Sequence, residues 1–289
     1  MAQSDTEHND NTYVIDTESA TEMGRLLEQD RAYAMAIGSV FPERDNADME
    51  GIERILDIAC GPGGWVHDVA YEYPQIEVTG IDISRRMIAY AQAQSRVRQL
   101  SNAHFQVMDI LKPLEFPDAS FDLINMRFGV AFMPPTAWPT LVRECKRVLR
   151  PGGVLRLTEF EAPITTSNSF DKGWELLTQS LLNAGQSLTT DGRAMGITPL
   201  LRRFLQDADY RHIGEMAHVI NFSYGTPAYQ SMYENFMVAI KLGRPFVVKW
   251  GNVSDDYMET LYQQTQEEMQ SESFCGVSFF LTAWGTKPV

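Results

Sequence analysis

Short, continuously apolar runs alternate with amphipathic stretches through the middle of the chain. Their spacing predicts strands near 53–60, 77–83, 104–110, 121–128 and 154–160, separated by helices near 64–73, 84–99 and 136–149. A strand that is apolar at nearly every position is covered on both faces, and strand–helix alternation implies a parallel sheet with helices on each side. Upstream, Met23, Leu26, Leu27, Ala34 and Ile37 share one helical face between Glu18 and Ile37, with Arg25, Gln29 and Asp30 as polar edges. Beyond the fifth strand the alternation stops. Phe170, Trp174, Leu177 and Leu181 share a face in an insertion running from Ala162 to Ile197; a helix over Leu200–Asp209 and a strand near Ile213–Phe222 follow. A second insertion carries one stripe of Tyr229, Met232, Tyr233, Phe236, Met237 and Ile240, and another of Met258, Leu261, Tyr262, Thr265 and Met269. Phe274–Trp284 reads as the last strand. Stripes of methionine and aromatic side chains suit core packing and pocket lining equally.

The first strand runs into Asp57-Ile58-Ala59-Cys60-Gly61-Pro62-Gly63-Gly64. Glycines at the carboxyl end of a buried strand let backbone approach a ligand where a Cβ would collide. Asp82 closes the next apolar run about 20 residues after Gly61, the separation at which a carboxylate reaches ribose hydroxyls. Asp109 closes the third. A dinucleotide fingerprint starting at Gly61 requires Gly or Ala where Val66 stands, and no Gly-x-x-x-x-Gly-Lys-[Ser/Thr] occurs, so a diphosphate is disfavoured.

Taken with Phe121-Asp122-Leu123-Ile124-Asn125 and Leu149-Arg150-Pro151-Gly152-Gly153, these ordered motifs resemble the class I S-adenosylmethionine-dependent methyltransferases from about Glu53 to Glu161. The resemblance is nearest the branch of ubiquinone/menaquinone C-methyltransferases and small-molecule methyltransferases. It implies an α/β, Rossmann-like fold with a seven-stranded, mostly parallel sheet of order 3-2-1-4-5-7-6. The domain reading has five parts: a disordered tail over 1–12, with order starting near Tyr13; an N-terminal helical lid over 13–46; a core over 47–161 with 198–224 and 273–289; and helical caps over 162–197 and 225–272.

The resemblance also implies S-adenosylmethionine as cofactor. Gly61 and Gly63 would face its methionine and ribose, Asp82 the ribose hydroxyls, and Asp109 the adenine amino group. Met108 and Ile110 would flank the base, with Ile83 and Met87 on its other face. Asn125, Met126 and Arg127 would lie near the sulfonium end. Asp57 reads as a partner for loop amides or the cofactor amine, and a closed lid would bring Arg25 and Gln29 to the cofactor. No Asn-Pro-Pro-Tyr/Phe follows the fourth strand, which argues against an amide or nucleobase nitrogen as acceptor. Ala131-Phe132-Met133-Pro134 stands where relatives carry histidines, which leaves Glu159 or Glu161, His67 and His218 near the mouth, with Glu159 and His67 as the candidate catalytic groups. Trp65, Phe128 and Phe132 are expected to floor a substrate cavity, and Trp174, Tyr229, Tyr233 and Phe236 to roof it. The expected reaction is methyl transfer to an oxygen or activated carbon of a small apolar or aromatic molecule, such as a phenol, quinol or polyketide. A non-methylating cyclase of the same fold is the alternative.

Charge and cysteine content narrow the partners. With 38 acidic against 24 basic residues and a net charge of −14, a nucleic-acid or anionic-membrane partner is disfavoured. Cys60, Cys145 and Cys275 are widely spaced and form neither a disulfide framework nor a metal motif. With no leader and no apolar run able to span a bilayer, a cytoplasmic enzyme acting as monomer or homodimer is expected.

Overall fold

The computed structural model describes residue 15, residues 18–44 and residues 49–289. The expected tail over 1–12 and the start of order at Tyr13 lie outside the described residues, as do parts of the expected lid and core boundaries at 13, 14, 16, 17 and 45–48.

Strands β1 (Arg54–Ile58), β2 (Glu77–Asp82), β3 (Ala103–Val107), β4 (Phe121–Arg127) and β5 (Leu149–Phe160) pair in parallel in the order 3-2-1-4-5. After a short break the chain continues along the same direction as β6 (Ile164–Thr165). β7 (Arg211–Asn221) and β8 (Gly276–Thr286) complete the sheet. β8 runs antiparallel to β5, pairing Val154 with Thr286 and Phe160 with Phe280, and β6 extends that edge through Ile164 and Val277. β7 lies on the opposite edge of β8. With the two-residue β6 set aside, the long strands follow the expected order, the last strand inserted beside its predecessor.

Helices α2 (Gly64–Glu72) and α3 (Arg85–Arg98) cover one face of the sheet, where Val66, Val69, Ile88 and Phe105 pack on Ile55 and Leu123. α4 (Trp138–Val148) and α6 (Thr198–Asp207) cover the other, where Trp138, Leu141 and Leu201 pack on Leu56 and Ile124. Burial on both faces is what the continuous apolar runs require. α5 (Asn168–Asn183), α7 (Tyr229–Trp250) and α8 (Asp255–Met269) form the inserted helical layer, and α1 (Ala20–Ile37) packs on α7. Serine caps start several of these helices: the hydroxyls of Ser19, Ser84, Ser167 and Ser254 accept from backbone N–H groups three residues on. Gly38, in the left-handed region, ends α1. Among the described residues no helix is long and apolar enough to cross a membrane.

Candidate active site

The carboxyl ends of β1 to β4 open into a cavity of about 710 Å³, within the size range of small-molecule sites. Asp57, Gly61, Asp82, Ile83, Met87, Met108, Asp109, Ile110 and Arg127 line it from the sheet side, and Arg25, Gln29, Asp30 and Tyr33 from α1. The acidic strand tips foreseen from the sequence therefore meet in one crevice. Asp82 ends β2 with its carboxylate split between two backbone donors: Gly61 N–H at 2.9 Å and Ser84 N–H at 2.9 Å. Burial raises its pKa, against these two bonds. Asp109 is bonded by Leu111 N–H at 3.0 Å and paired with Lys112 at 3.2 Å.

The glycine loop ends at Gly63, which has φ of 82° and starts α2. A Cβ here would lie 2.6 Å from the Phe105 ring and 2.9 Å from Ala91, so only glycine closes this turn against α3 and β3. At Gly64 a Cβ would lie 1.8 Å from Asp30 Oδ2, which shows how closely α1 lies over the loop. α1 is tied down just before its start and at Asp30 itself. Glu18, just before the helix, accepts from the Ser84 hydroxyl at 2.7 Å, and Asp30 pairs with Arg127 at 2.7 Å.

Asp57 lies on the cavity floor, 2% exposed, and accepts from Asn125 Nδ2 at 2.7 Å. Burial lifts its pKa to about 7; Arg127 and Asn125 pull it back. Asn125 is itself fully buried and accepts from Arg156 at 2.7 Å, and Arg156 pairs with Glu43 at 2.6 Å. A buried polar chain thus links Asp57 to the segment that follows α1. Asn125 and Met126 do not reach the cavity surface: the first orients Asp57, and the second packs beneath Gly129. Gly63 likewise shapes the loop from behind.

The cavity continues past Phe128 into an apolar chamber. Phe132 and Phe160 belong to its wall, Trp174, Leu177 and Leu181 face it from α5, and Phe236 and Ala239 from α7. Of the seven side chains expected around a substrate cavity, Phe128, Phe132, Trp174 and Phe236 line this one. Other expectations are corrected. Trp65 is buried and does not line the cavity: it stands edge-on to Phe41 at 5.5 Å, and its Nε1 donates to the Val40 carbonyl. Tyr229 and Tyr233 face the outer layer of the cap: Tyr229 donates to the Met269 carbonyl at 3.0 Å, and Tyr233 accepts from Gln270. Met232 and Met237 of the same stripe pack in the core.

Both candidate catalytic groups lie away from the cavity. His67 is 1% exposed between α2 and α3, its Nε2 3.0 Å from the Ala91 carbonyl and 3.1 Å from Ser95 Oγ; burial lowers its pKa. Glu159 is fully buried and accepts from Gly129 N–H at 2.6 Å and Val130 N–H at 3.2 Å. Burial pushes its pKa up to about 8. Its carboxylate fastens the turn after β4, where Phe128 sits in the left-handed region at φ 62°. Glu161 caps α6 instead, accepting from Gly196 N–H, Thr198 N–H and the Thr198 hydroxyl. The sequence reading missed Leu26, Tyr33 and Asn235 as lining residues. It read Asp30 only as a polar edge, although Leu26 and Asp30, four apart, share the helical stripe that meets the loop.

A family profile described as a methyltransferase domain matches residues 55–153. Over 169 residues the chain is 32% identical to the demethylmenaquinone methyltransferase of Deinococcus radiodurans, covering 58% of this chain and 67% of that protein. This chain belongs to the class I S-adenosylmethionine-dependent methyltransferases. The match spans about half the length of other curated relatives of this methyltransferase. Among solved structures, Haemonchus contortus phosphoethanolamine N-methyltransferase 2, in complex with phosphomonomethylethanolamine and S-adenosylhomocysteine, superposes with a TM-score of 0.51 at 19% identity, covering 95% of this chain and 61% of that one. The [4+2]-cyclase SpnF gives a TM-score of 0.50 at 21% identity, covering 90% and 81%. At these identities the likeness is one of fold.

The cavity of this methyltransferase fits S-adenosylmethionine. Asp82 retains oxygen lone pairs beyond its two amide bonds, Ile83, Met87, Met108 and Ile110 offer apolar faces for a purine, and Asp30, Asp57 and Arg127 supply both signs of charge for an α-amino acid.

Proposed function

We propose that this methyltransferase moves a methyl group from S-adenosylmethionine to an oxygen or activated carbon of a small, largely apolar molecule of the phenol, quinol or polyketide type. The observation that carries this reading is the continuity of the cavity from the acidic strand tips to the apolar chamber under α5 and α7. Macromolecular acceptors would need an open, charged approach, and the net charge of −14 opposes a polyanion. Kinship with the demethylmenaquinone methyltransferase supports an acceptor of the quinol type.

In this reading Asp82 accepts the ribose hydroxyls and Asp109 the adenine amino group. Ile83, Met87, Met108 and Ile110 enclose the base, and Gly61 gives its backbone close access. Asp57 faces the ammonium of the amino-acid end, and Arg127 its carboxylate. The bound donor supplies an electrophilic methyl on positive sulfur. Phe128 and Phe132 exclude water from the transfer path, while Trp174 and Phe236 hold the acceptor in line. Alignment of this kind is worth about 7–11 kcal/mol, more than the contribution of a general base, so the burial of Glu159 and His67 is compatible with the chemistry. Incubation with methyl-labelled donor and a panel of phenols, quinols, amines and thiols tests the proposal. Label should enter phenols or quinols, giving products heavier by one CH2. Label confined to amines or thiols, or a converted product of unchanged mass, would overturn it.

A further inference from the structure

Between the donor half of the cavity and the apolar chamber lies a polar cluster built on Arg25 and Gln29, the pair that the sequence brought to the cofactor and that the roles proposed above do not use. Arg25 in α1 is held by Glu22 through two bonds of 2.7 and 2.6 Å, with side-chain exposures of 8% and 0%. From this anchor its Nη1 donates to the carbonyl oxygens of two amides, Gln29 Oε1 and, at 2.8 Å, Asn235 Oδ1. A guanidinium can only donate, so it fixes the orientation of both amides and turns each NH2 group away from itself. Neither NH2 group donates to any protein atom among the described residues, yet Gln29 is 8% and Asn235 4% exposed, and both line the cavity. Tyr33, one turn beyond Gln29 and 4% exposed, brings a phenol to the same wall, its ring 4.9 Å from that of Phe128. None of the three donors is among the fully buried polar atoms without a partner, so each keeps surface in the cavity, where an entering ligand can accept from it.

We infer that the amide NH2 groups of Gln29 and Asn235, with the Tyr33 hydroxyl, form a donor niche that takes an acceptor molecule's oxygen bearing or developing negative charge, a phenolate or enolate. The inference deepens the small-molecule methyl-transfer reading and rests on it. The three groups that face the cavity are neutral, so the niche selects by hydrogen-bond donation. An oxygen held there either receives the methyl or is conjugated to the carbon that does. The donor's own carboxylate is the rival occupant, but it already has Arg127 and the start of α2 to pair with.

Gln29→Glu and Asn235→Asp each keep the oxygen that accepts from Arg25 but exchange the NH2 donor for a charged oxygen, so Gln29→Met and Asn235→Leu, which remove the donor without adding charge, are measured beside them, with thermal melts to confirm folding. The probes are 4-nitrophenolate and nitrobenzene, matched in shape, titrated into protein saturated with S-adenosylhomocysteine at a pH where the phenol is ionised. S-Adenosylhomocysteine and 5′-methylthioadenosine are titrated separately by calorimetry. Each variant should weaken 4-nitrophenolate at least about tenfold, with nitrobenzene and both nucleosides unchanged within about twofold. An equal loss for both aromatic probes, or no loss for either, would overturn the niche. A loss for S-adenosylhomocysteine but not 5′-methylthioadenosine would give the niche to the donor carboxylate. Failure of both aromatic probes to bind wild-type protein would instead sink the apolar-chamber reading, and the niche with it.

Discussion

Asp82→Ala isolates the ribose contact. In the folded chain Asp82 accepts from Gly61 N–H and Ser84 N–H, both at 2.9 Å. With donor bound, the same carboxylate would take two O–H donors from the ribose. Hydrogen bonds to a charged group contribute about 1.5–3 kcal/mol each, so losing two costs about 3–6 kcal/mol, or roughly 10²–10⁴ in affinity. The substitution also frees two amides of the loop, at a cost of about 1–3 kcal/mol each against a stability of about 5–15 kcal/mol, and thermal melts check that the variant is folded. Relief of burying the charge, seen in the raised pKa of Asp82, offsets part of that cost. The assay is calorimetry with S-adenosylhomocysteine and its 2′,3′-dideoxy analogue, beside thermal melts. The dideoxy analogue should bind wild type weakly, and Asp82→Ala should scarcely distinguish the two ligands. Retained affinity for S-adenosylhomocysteine in the variant, or equal discrimination by both proteins, would refute the ribose assignment.

Gly63→Ala should lower stability by about 2–5 kcal/mol, read by urea unfolding, because it adds a left-handed alanine to a contact with Phe105 that has no room for a methyl group. Burial raises Glu159 from 4.5 to about 8, so the folded chain binds that proton more tightly than the unfolded chain; its stabilising contribution is full below about pH 4.5 and fades as pH rises toward 8. Glu159→Gln should flatten this fall in urea titrations across the window while leaving the affinity for S-adenosylhomocysteine unchanged. Asp57, lifted to about 7, ionises within the same range, so wild-type affinity for S-adenosylhomocysteine should rise as pH passes through about 7 and stay level in Asp57→Asn. Phe236→Ala should enlarge the chamber, shifting acceptor preference in competition assays toward bulkier rings at constant donor affinity.

The strand tips were legible because an apolar run and the acid that ends it lie in one local stretch; Asp82 and Asp109 needed only the rule that ligands bind at the carboxyl ends of parallel strands. Docking between elements was harder to read. Trp65 and His67 sit at the start of α2, and no local pattern says that Phe41 covers the first or that Ala91 and Ser95 receive the second. Glu159 lies at a strand end like the other acids, yet the turn at Gly129 folds back over it and takes both its oxygens, a contact across 30 residues. Along α7 the stripe of Tyr229, Tyr233 and Phe236 is a single helical periodicity, but the first two meet α8 and the chain after it while Phe236 reaches the chamber. Asp30 and Asn235 became visible only once α1 had been laid across the glycine loop and against α7.

A crystal structure with S-adenosylhomocysteine tests the central claim most directly. The account predicts the ribose hydroxyls within hydrogen-bond distance of Asp82, the adenine between Ile83 and Met108, and the sulfur facing Phe128 and the chamber beyond it. A nucleoside bound elsewhere, or one lying in the cavity with its sulfur turned away from that chamber, would contradict it.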